Sequence, residues 1–401
     1  MNVFQFHRIS GRRVAIVGAL CTLTAVTQTV TFAQDWPGAQ PFVQAGNSSV
    51  TQNPDPNVAQ AEAEVYWTPQ RLVSAVPLDL QPAVGANGLP VGPQAAADPS
   101  PAVRGESGLP SAALNLQDVK TLIPDVFLDS APKAEPIDSI SPNATSSFGA
   151  NFTTYRVFPD AATTAYPNLT AGKLFFRDPR TGGNFVCSAS TLQRRLVVTA
   201  GHCVTHASTN AALRYFYTNF LFVPAFRNGV APVGTWTPRI VWVTNTWFHS
   251  NGSVPNAQDV GMLVMNDRNG SRIGHVTGWL GFFTNQLGRN HSTMLGYPCN
   301  LDSCQRMQIN HAQTFANGGN NTFIYGSAMR GGSSGGPWIQ DYGIEPAGAP
   351  AGLLANNYLI AVTSYGPVAT GPKYQGASNL DSRFISLKNA ACGAANSGNC
   401  N

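Results

Sequence analysis

The chain has 401 residues, 11% charged and 43% hydrophobic, with 39 Gly, 29 Pro and a formal net charge of +4. This composition suits a soluble globular protein with one large domain and something extra. It excludes a helix-dominated chain: Gly and Pro are abundant and helical periodicity is scarce, so all-β with many turns comes first.

Residues 1–33 read as a signal peptide. Arg8, Arg12 and Arg13 precede the apolar stretch Val14 to Val26, and Thr31 and Ala33 offer a small-residue cleavage point. The apolar run is too short to span a bilayer comfortably. The sequence around Cys21 does not look like a lipid-attachment site, and no other long apolar run follows. Export without a membrane anchor is the expectation, to a secreted or periplasmic location.

Residues 34–150 are rich in Pro, Ala, Gly and Asn and carry 4 Lys/Arg against 12 Asp/Glu, a net of −8. Few positions here can build a core, so a largely disordered propeptide or linker is expected. Residues 151–401 hold 17 Lys/Arg against 8 Asp/Glu, a net of +9. The acidic segment therefore has two readings: a partner that folds against the basic domain, or a solvated linker.

From about residue 151 short apolar or alternating runs recur between turn residues: KLFF, FVCSAS, RLVVTA, RYFYTNFLFVPAF, RIVWVT, VGMLVM, TMLGY, NTFIYG and LIAVTSYG. These read as strands of an antiparallel sandwich or barrel. Near the end only DSRFISLKNAA has a one-sided helical pattern, with Asp381 or Ser382 as its cap.

Cys21 leaves with the signal, and six cysteines remain, an even number as expected outside the cytosol. Sequence leaves the pairing open, and local couples are the expectation: Cys187 with Cys203, Cys299 with Cys304, Cys392 with Cys400. No C-x-x-C spacing is present, and no cofactor, metal or nucleic-acid partner is expected.

Two stretches carry chemistry. LVVTAGHCV (Leu196 to Val204) delivers His202 at the end of a β-rich run, beside a cysteine able to pin its loop. MRGGSSGGPW (Met329 to Trp338) surrounds two serines with four glycines. Read alone, the first is also an ordinary strand-end histidine and the second an ordinary Gly/Ser turn. The same letters fit G-x-S-x-G of α/β-hydrolases, but that fold needs a histidine after the serine and none follows Ser334. HCVTH lacks the glutamate of a zinc-protease helix, and no third ligand is signalled.

TAGHC together with GSSGGP resembles the chymotrypsin-like (trypsin-like) serine peptidase family over residues of about 155–390. The exported, Asn-rich character and the lack of an IVGG-like start resemble its bacterial members, including the glutamyl-endopeptidase-like branch. The resemblance implies two six-stranded antiparallel β-barrels with a short C-terminal helix. It implies Ser334 as nucleophile, with Ser333 at the variable position, His202 as general base, and the Gly332 and Ser334 amides as oxyanion donors. Between His202 and Ser334 lie three aspartates, Asp259, Asp267 and Asp302, and no glutamate. Asp259 opens an apolar strand, where the family has its triad aspartate.

The specificity pocket implied by the resemblance involves Ala328, Arg330, Thr363, Ser364 and Gly366. Ala328 and Thr363 argue against a basic or a glutamyl preference, while Arg330 offers a cation nearby. Ser333 stands where many members have an aspartate that pairs with a new N-terminus, so activation, if any, needs another device such as removal of 34–150. A secreted serine endopeptidase acting on protein or peptide is the expected function. The alternative is a catalytically silent protease-fold binding protein.

Overall fold

The computed structural model describes residues 42–45, 48–52, 56–92, 98–128, 149–345, 355–368, 373–394 and 398–400. The expected signal peptide lies outside them. Among the described residues no helix is long and apolar enough to cross a membrane.

Two antiparallel sheets carry the TAGHC and GSSGGP stretches. The first is built from β1 (Ala171–Arg177), β2 (Asn184–Thr191), β3 (Leu196–Thr199), β4 (Thr218–Pro224), β5 (Pro238–Thr244) and β6 (Gly261–Met265). They pair in the order β5-β6-β3-β2-β1-β4. The ends approach each other through a single antiparallel bridge, Phe222 to Trp236. The sheet does not close as a continuous six-stranded barrel, because the free edge of β5 is taken by Ser48–Gln52, itself paired to Phe42–Ala45.

The second comprises β7 (His291–Gly296), β8 (Gln308–Gly319), β9 (Thr322–Gly326), β10 (Pro337–Gln340), β11 (Tyr358–Tyr365) and β12 (Tyr374–Asn379). It runs β10-β7-β8-β9-β12-β11, and β11 returns to β10, so the ring closes and leaves no edge within it. The chain ends in the helix Ser382–Gly393, whose first turn is capped by Asp381 Oδ1 accepting the Arg383 N–H at 2.9 Å. Asp381 is fully buried; Arg383 and Asn321 supply the rest of its partners.

Strand formation follows side-chain chemistry. β1, β3, β5 and β6 are runs of Val, Leu, Ile, Phe and Met, and nearly every residue in them is buried, as a sheet covered on both faces requires. One residue violates the pattern. Lys173 in β1 is 2% exposed, with its ammonium 4.8 Å from the ring centres of both Phe175 and Phe226. No salt bridge reaches it among the described residues, and burial pushes its pKa down to about 7.

The acidic N-terminal segment contributes to the core over its described part. Trp67, Leu72 and Ile123 are buried in the main apolar cluster. Trp67 Nε1 donates to the Asn219 carbonyl at 2.6 Å, and Asp118 pairs with Arg268 at 2.9 Å. Three sulfur pairs are at bonding distance: Cys187–Cys203, Cys299–Cys304 and Cys392–Cys400.

Candidate active site

The chain has the chymotrypsin-like fold: two antiparallel β-sheets rolled into a barrel and a near-barrel, with the TAGHC loop on the first and the GSSGGP loop on the second. Each loop sits where a run of buried apolar residues meets a turn, which is how a reactive group is fixed without being sealed off.

His202 lies in the 3₁₀ turn Gly201–Cys203 that directly follows β3. Asp259 stands two residues before β6, and β6 pairs with β3, so the sheet register carries the two side chains to one place. Asp259 Oδ2 meets His202 Nδ1 at 2.7 Å, and Oδ1 accepts the His202 backbone N–H at 2.8 Å. Asp259 is fully buried and His202 is 2% exposed. The carboxylate thus fixes both the loop and the ring, and it selects the tautomer with the proton on Nδ1. The indole of Trp247, itself buried, stands edge-on to the imidazole with ring centres 6.2 Å apart.

The other two aspartates are engaged elsewhere. Asp267 accepts from Arg195 Nε at 2.6 Å, and Asp302 accepts from Arg156 Nε at 2.8 Å. A carboxylate already in a bidentate arginine fork has no reason to leave it for an imidazole.

Ser334 is 6% exposed in the loop between β9 and β10. The loop is stitched to both sheets. Its carbonyl accepts the Ser188 N–H of β2 at 2.7 Å, Ser188 Oγ donates to the Gly332 carbonyl at 2.9 Å, and the Gly335 N–H donates to the Thr363 carbonyl of β11 at 2.7 Å. Gly335 sits at φ +78, and a Cβ there would lie 2.0 Å from Thr199 Oγ1. Only glycine turns the chain at this point against β3. Ser188 follows Cys187, and Cys187 is bonded to Cys203 beside His202, so one strand ties both loops.

Two features of the site are unsatisfied. His202 Nε2 is buried and has no hydrogen-bond partner, Ser334 Oγ included. Catalytic bonds of this kind are often long before substrate arrives. The Gly332 and Ser334 N–H groups also have no acceptor among the described residues. Orphan amides are uncommon in folded chains, and two in one glycine-bent loop form a ready acceptor for an anionic oxygen.

Of the residues expected at the pocket, Arg330, Thr363 and Gly366 line one narrow cleft with Ser334. Ala328 is buried, with its N–H on Thr154 Oγ1, and is not among the lining residues. Ser364 is not among those lining residues, and its hydroxyl donates to Asp259 Oδ2 at 2.6 Å. Sequence reasoning missed that contact, as well as Gln375 and Asp79, which also line the cleft. Gln375 holds Ser333 Oγ and accepts from Ser327 Oγ at 3.0 Å, so it shapes the pocket wall.

Cys187, His202 and Cys203 also cluster closely enough to hold a metal ion. The two sulfurs are joined to each other and His202 Nδ1 is held by Asp259, so this donor set does not fit a metal.

No family model matches the chain. A curated relative, the extracellular metalloprotease of Bacillus subtilis (strain 168), is 24% identical over 143 residues, covering 35% of this chain and 42% of that protein. The chain therefore spans less than half the length of that relative. Similar solved structures include the protease Anisep from Arthrobacter nicotinovorans, 27% identical with a TM-score of 0.47 over 57% of this chain and 97% of that one. A thermostable serine protease AL20 from an extremophilic microorganism is 24% identical with a TM-score of 0.48, over 59% of this chain and 100% of that one. A Glu endopeptidase is 18% identical with a TM-score of 0.44, over 59% of this chain and 95% of that one.

Proposed function

We propose that the protein is an exported serine endopeptidase acting on protein or peptide substrates. The observation that carries this reading is the buried Asp259–His202 pair with an unpartnered Nε2, supported by two unpartnered amides in the GSSGGP loop. His202 Nε2 takes the Ser334 proton as Oγ attacks the scissile carbonyl, and Asp259 stabilises the imidazolium that forms. The Gly332 and Ser334 N–H groups receive the oxyanion. His202 then gives its proton to the leaving amine, and water clears the acyl-enzyme by the same route.

Signal-directed export fits the three sulfur pairs, since such bonds persist in oxidising compartments. The domain boundaries proposed are residues 1–33 for the signal, 34–150 for a segment preceding the enzyme, and 151–401 for the peptidase.

The test is covalent labelling with a fluorophosphonate probe. The wild-type protein is expected to label at one site, and Ser334→Ala to abolish labelling while the folded circular-dichroism spectrum is retained. Labelling that persists in Ser334→Ala, or a correctly processed wild type that never labels, refutes the assignment.

A further inference from the structure

The turn between β7 and β8 is closed on itself and bent against its own preferences. Cys299 and Cys304 are joined across it. Asp302, Ser303 and Cys304 follow one another at φ +47, +49 and +59, left-handed values that side chains other than glycine rarely adopt. Asp302 is fastened from outside the turn, accepting from Arg156 Nε at 2.8 Å and from Gln308 Nε2 at 2.7 Å. Strained residues in a row persist only where their surroundings over-determine them, and such segments gather at working sites.

What this turn holds is the backbone that leads into Ser334. Asn300 Nδ2 donates to the Ala328 carbonyl at 3.0 Å, and Asn300 Oδ1 accepts the Arg330 N–H at 3.0 Å. An amide side chain both donates and accepts, which a carboxylate cannot do. Beside it the Cys299 N–H donates to the Gly331 carbonyl at 2.6 Å. The 331–332 peptide is not among the cis bonds, and in a planar trans peptide the N–H points opposite to the carbonyl. With the Gly331 carbonyl turned onto Cys299, the Gly332 N–H is turned away from it, and that N–H has no acceptor among the described residues. A Cβ on Gly332, which sits at φ +93, would lie 2.9 Å from Cys299 Sγ, so the two stretches are in direct contact. A second set of bonds completes the brace: Ser333 Oγ donates to the Arg330 carbonyl at 2.5 Å and accepts from Gln375 Nε2 at 2.5 Å.

We propose that Asn300 is a positioning residue: together with the Cys299 amide it fixes the 331–332 peptide in the orientation that presents the Gly332 N–H to the oxyanion. This rests on the endopeptidase reading for its consequence, though not for its geometry. The Asn300 side chain bonds to backbone on both sides and acts through Gly332 alone. Without it the 328–331 stretch loses two of its bonds, and the 331–332 peptide gains freedom to rotate its N–H out of line. Loss of an oxyanion donor is felt in the transition state far more than in substrate binding, because the charge it receives develops only there.

The experiment has two arms, both on the full chain. In the first, fluorophosphonate labelling rates and their pH dependence are compared for wild type and Asn300→Ala; the phosphoryl oxygen of the probe takes the place of the oxyanion. Asn300→Ala is expected to label about tenfold slower or more, with an unchanged pH midpoint because His202 and Asp259 are untouched. In the second, hydrogen exchange is measured in the Ser334→Ala background with and without Asn300→Ala. The Arg330 and Cys299 amides are expected to exchange about tenfold faster in the Asn300→Ala variant, while those of β8 and β11 keep the parent rate. Where Asn300→Ala fails to fold, Asn300→Asp, which keeps the acceptor and loses the donor, carries both arms with an expected change of about threefold. Unchanged labelling in a variant of a wild type that labels, unchanged exchange at Arg330 and Cys299, or a shifted pH midpoint overturns the proposal. Quickened exchange with no labelling of any protein, wild type included, keeps the brace and refutes the endopeptidase reading instead.

Discussion

Lys173 offers a quantitative check on the packing of the first sheet. Its folded pKa is about 7, against an ordinary value of 10.5, because the ammonium is buried between two phenylalanine rings. The folded value lies below the unfolded one, so between pH 7 and 10.5 the unfolded chain holds a proton that the folded chain has shed. Stability therefore rises with pH across that window. At about 1.4 kcal/mol per unit, the full window is worth about 5 kcal/mol, all of it a cost below pH 7. Lys173→Met keeps the length of the side chain and removes the titration. Urea unfolding in the Ser334→Ala background, with disulfides intact, is expected to show the Met variant more stable at pH 7 by several kcal/mol. The gap should shrink by about 2 to 3 kcal/mol between pH 8 and pH 10. Parallel stability curves for the two proteins across that range refute the argument, since they mean that Lys173 titrates as it does in water.

Three further outcomes test the site and its frame. Ser364→Ala removes one of the two side-chain donors to Asp259 Oδ2; a charge-assisted bond of about 1.5–3 kcal/mol predicts a ten- to hundredfold fall in kcat with KM little changed, read by steady-state peptide hydrolysis. Gly335→Ala places a Cβ at φ +78 against Thr199 Oγ1; it should lower stability by about 2 kcal/mol or more and cut fluorophosphonate labelling at least a hundredfold, read by melting and by labelling rate. Asp381→Ala strips the cap from the C-terminal helix and leaves Arg383 without its buried partner; a loss of about 3 kcal/mol is expected by chemical denaturation, with kcat unchanged.

The legible parts of the sequence were those where apolar character and motif coincide. All nine apolar runs fall on strands, and the C-terminal helix begins at Ser382 with Asp381 as its cap. Asp259 was readable because it heads an apolar strand while Asp267 and Asp302 sit in turns. β8, β10 and β12 escaped notice because their residues are polar or small: QINHAQTFANGG, PWIQ and YQGASN carry little hydrophobic signal. Ring closure, which buries them, is a tertiary effect and leaves no local mark. Ser364 was assigned to substrate contact from the family resemblance alone, and its bond to Asp259 spans 105 residues, a distance no pattern reports. Asp79 was hidden for a different reason. The composition of 34–150 signals a poor core, and among the described residues a few buried anchors such as Trp67 and Leu72 tie the segment to the domain.

The incomplete ring of the first sheet has a consequence for whatever happens to the N-terminal segment. In the intact chain the outer hydrogen-bonding row of β5 is occupied by Ser48–Gln52, so Pro238–Thr244 presents no bare ladder to other molecules. Should cleavage carry that hairpin away, five consecutive positions from Ile240 to Thr244 lose their partners at once. A matured molecule would then have to recruit a second copy, refold a neighbouring loop over the gap, or remain prone to self-association, and dilution-dependent light scattering would tell these fates apart.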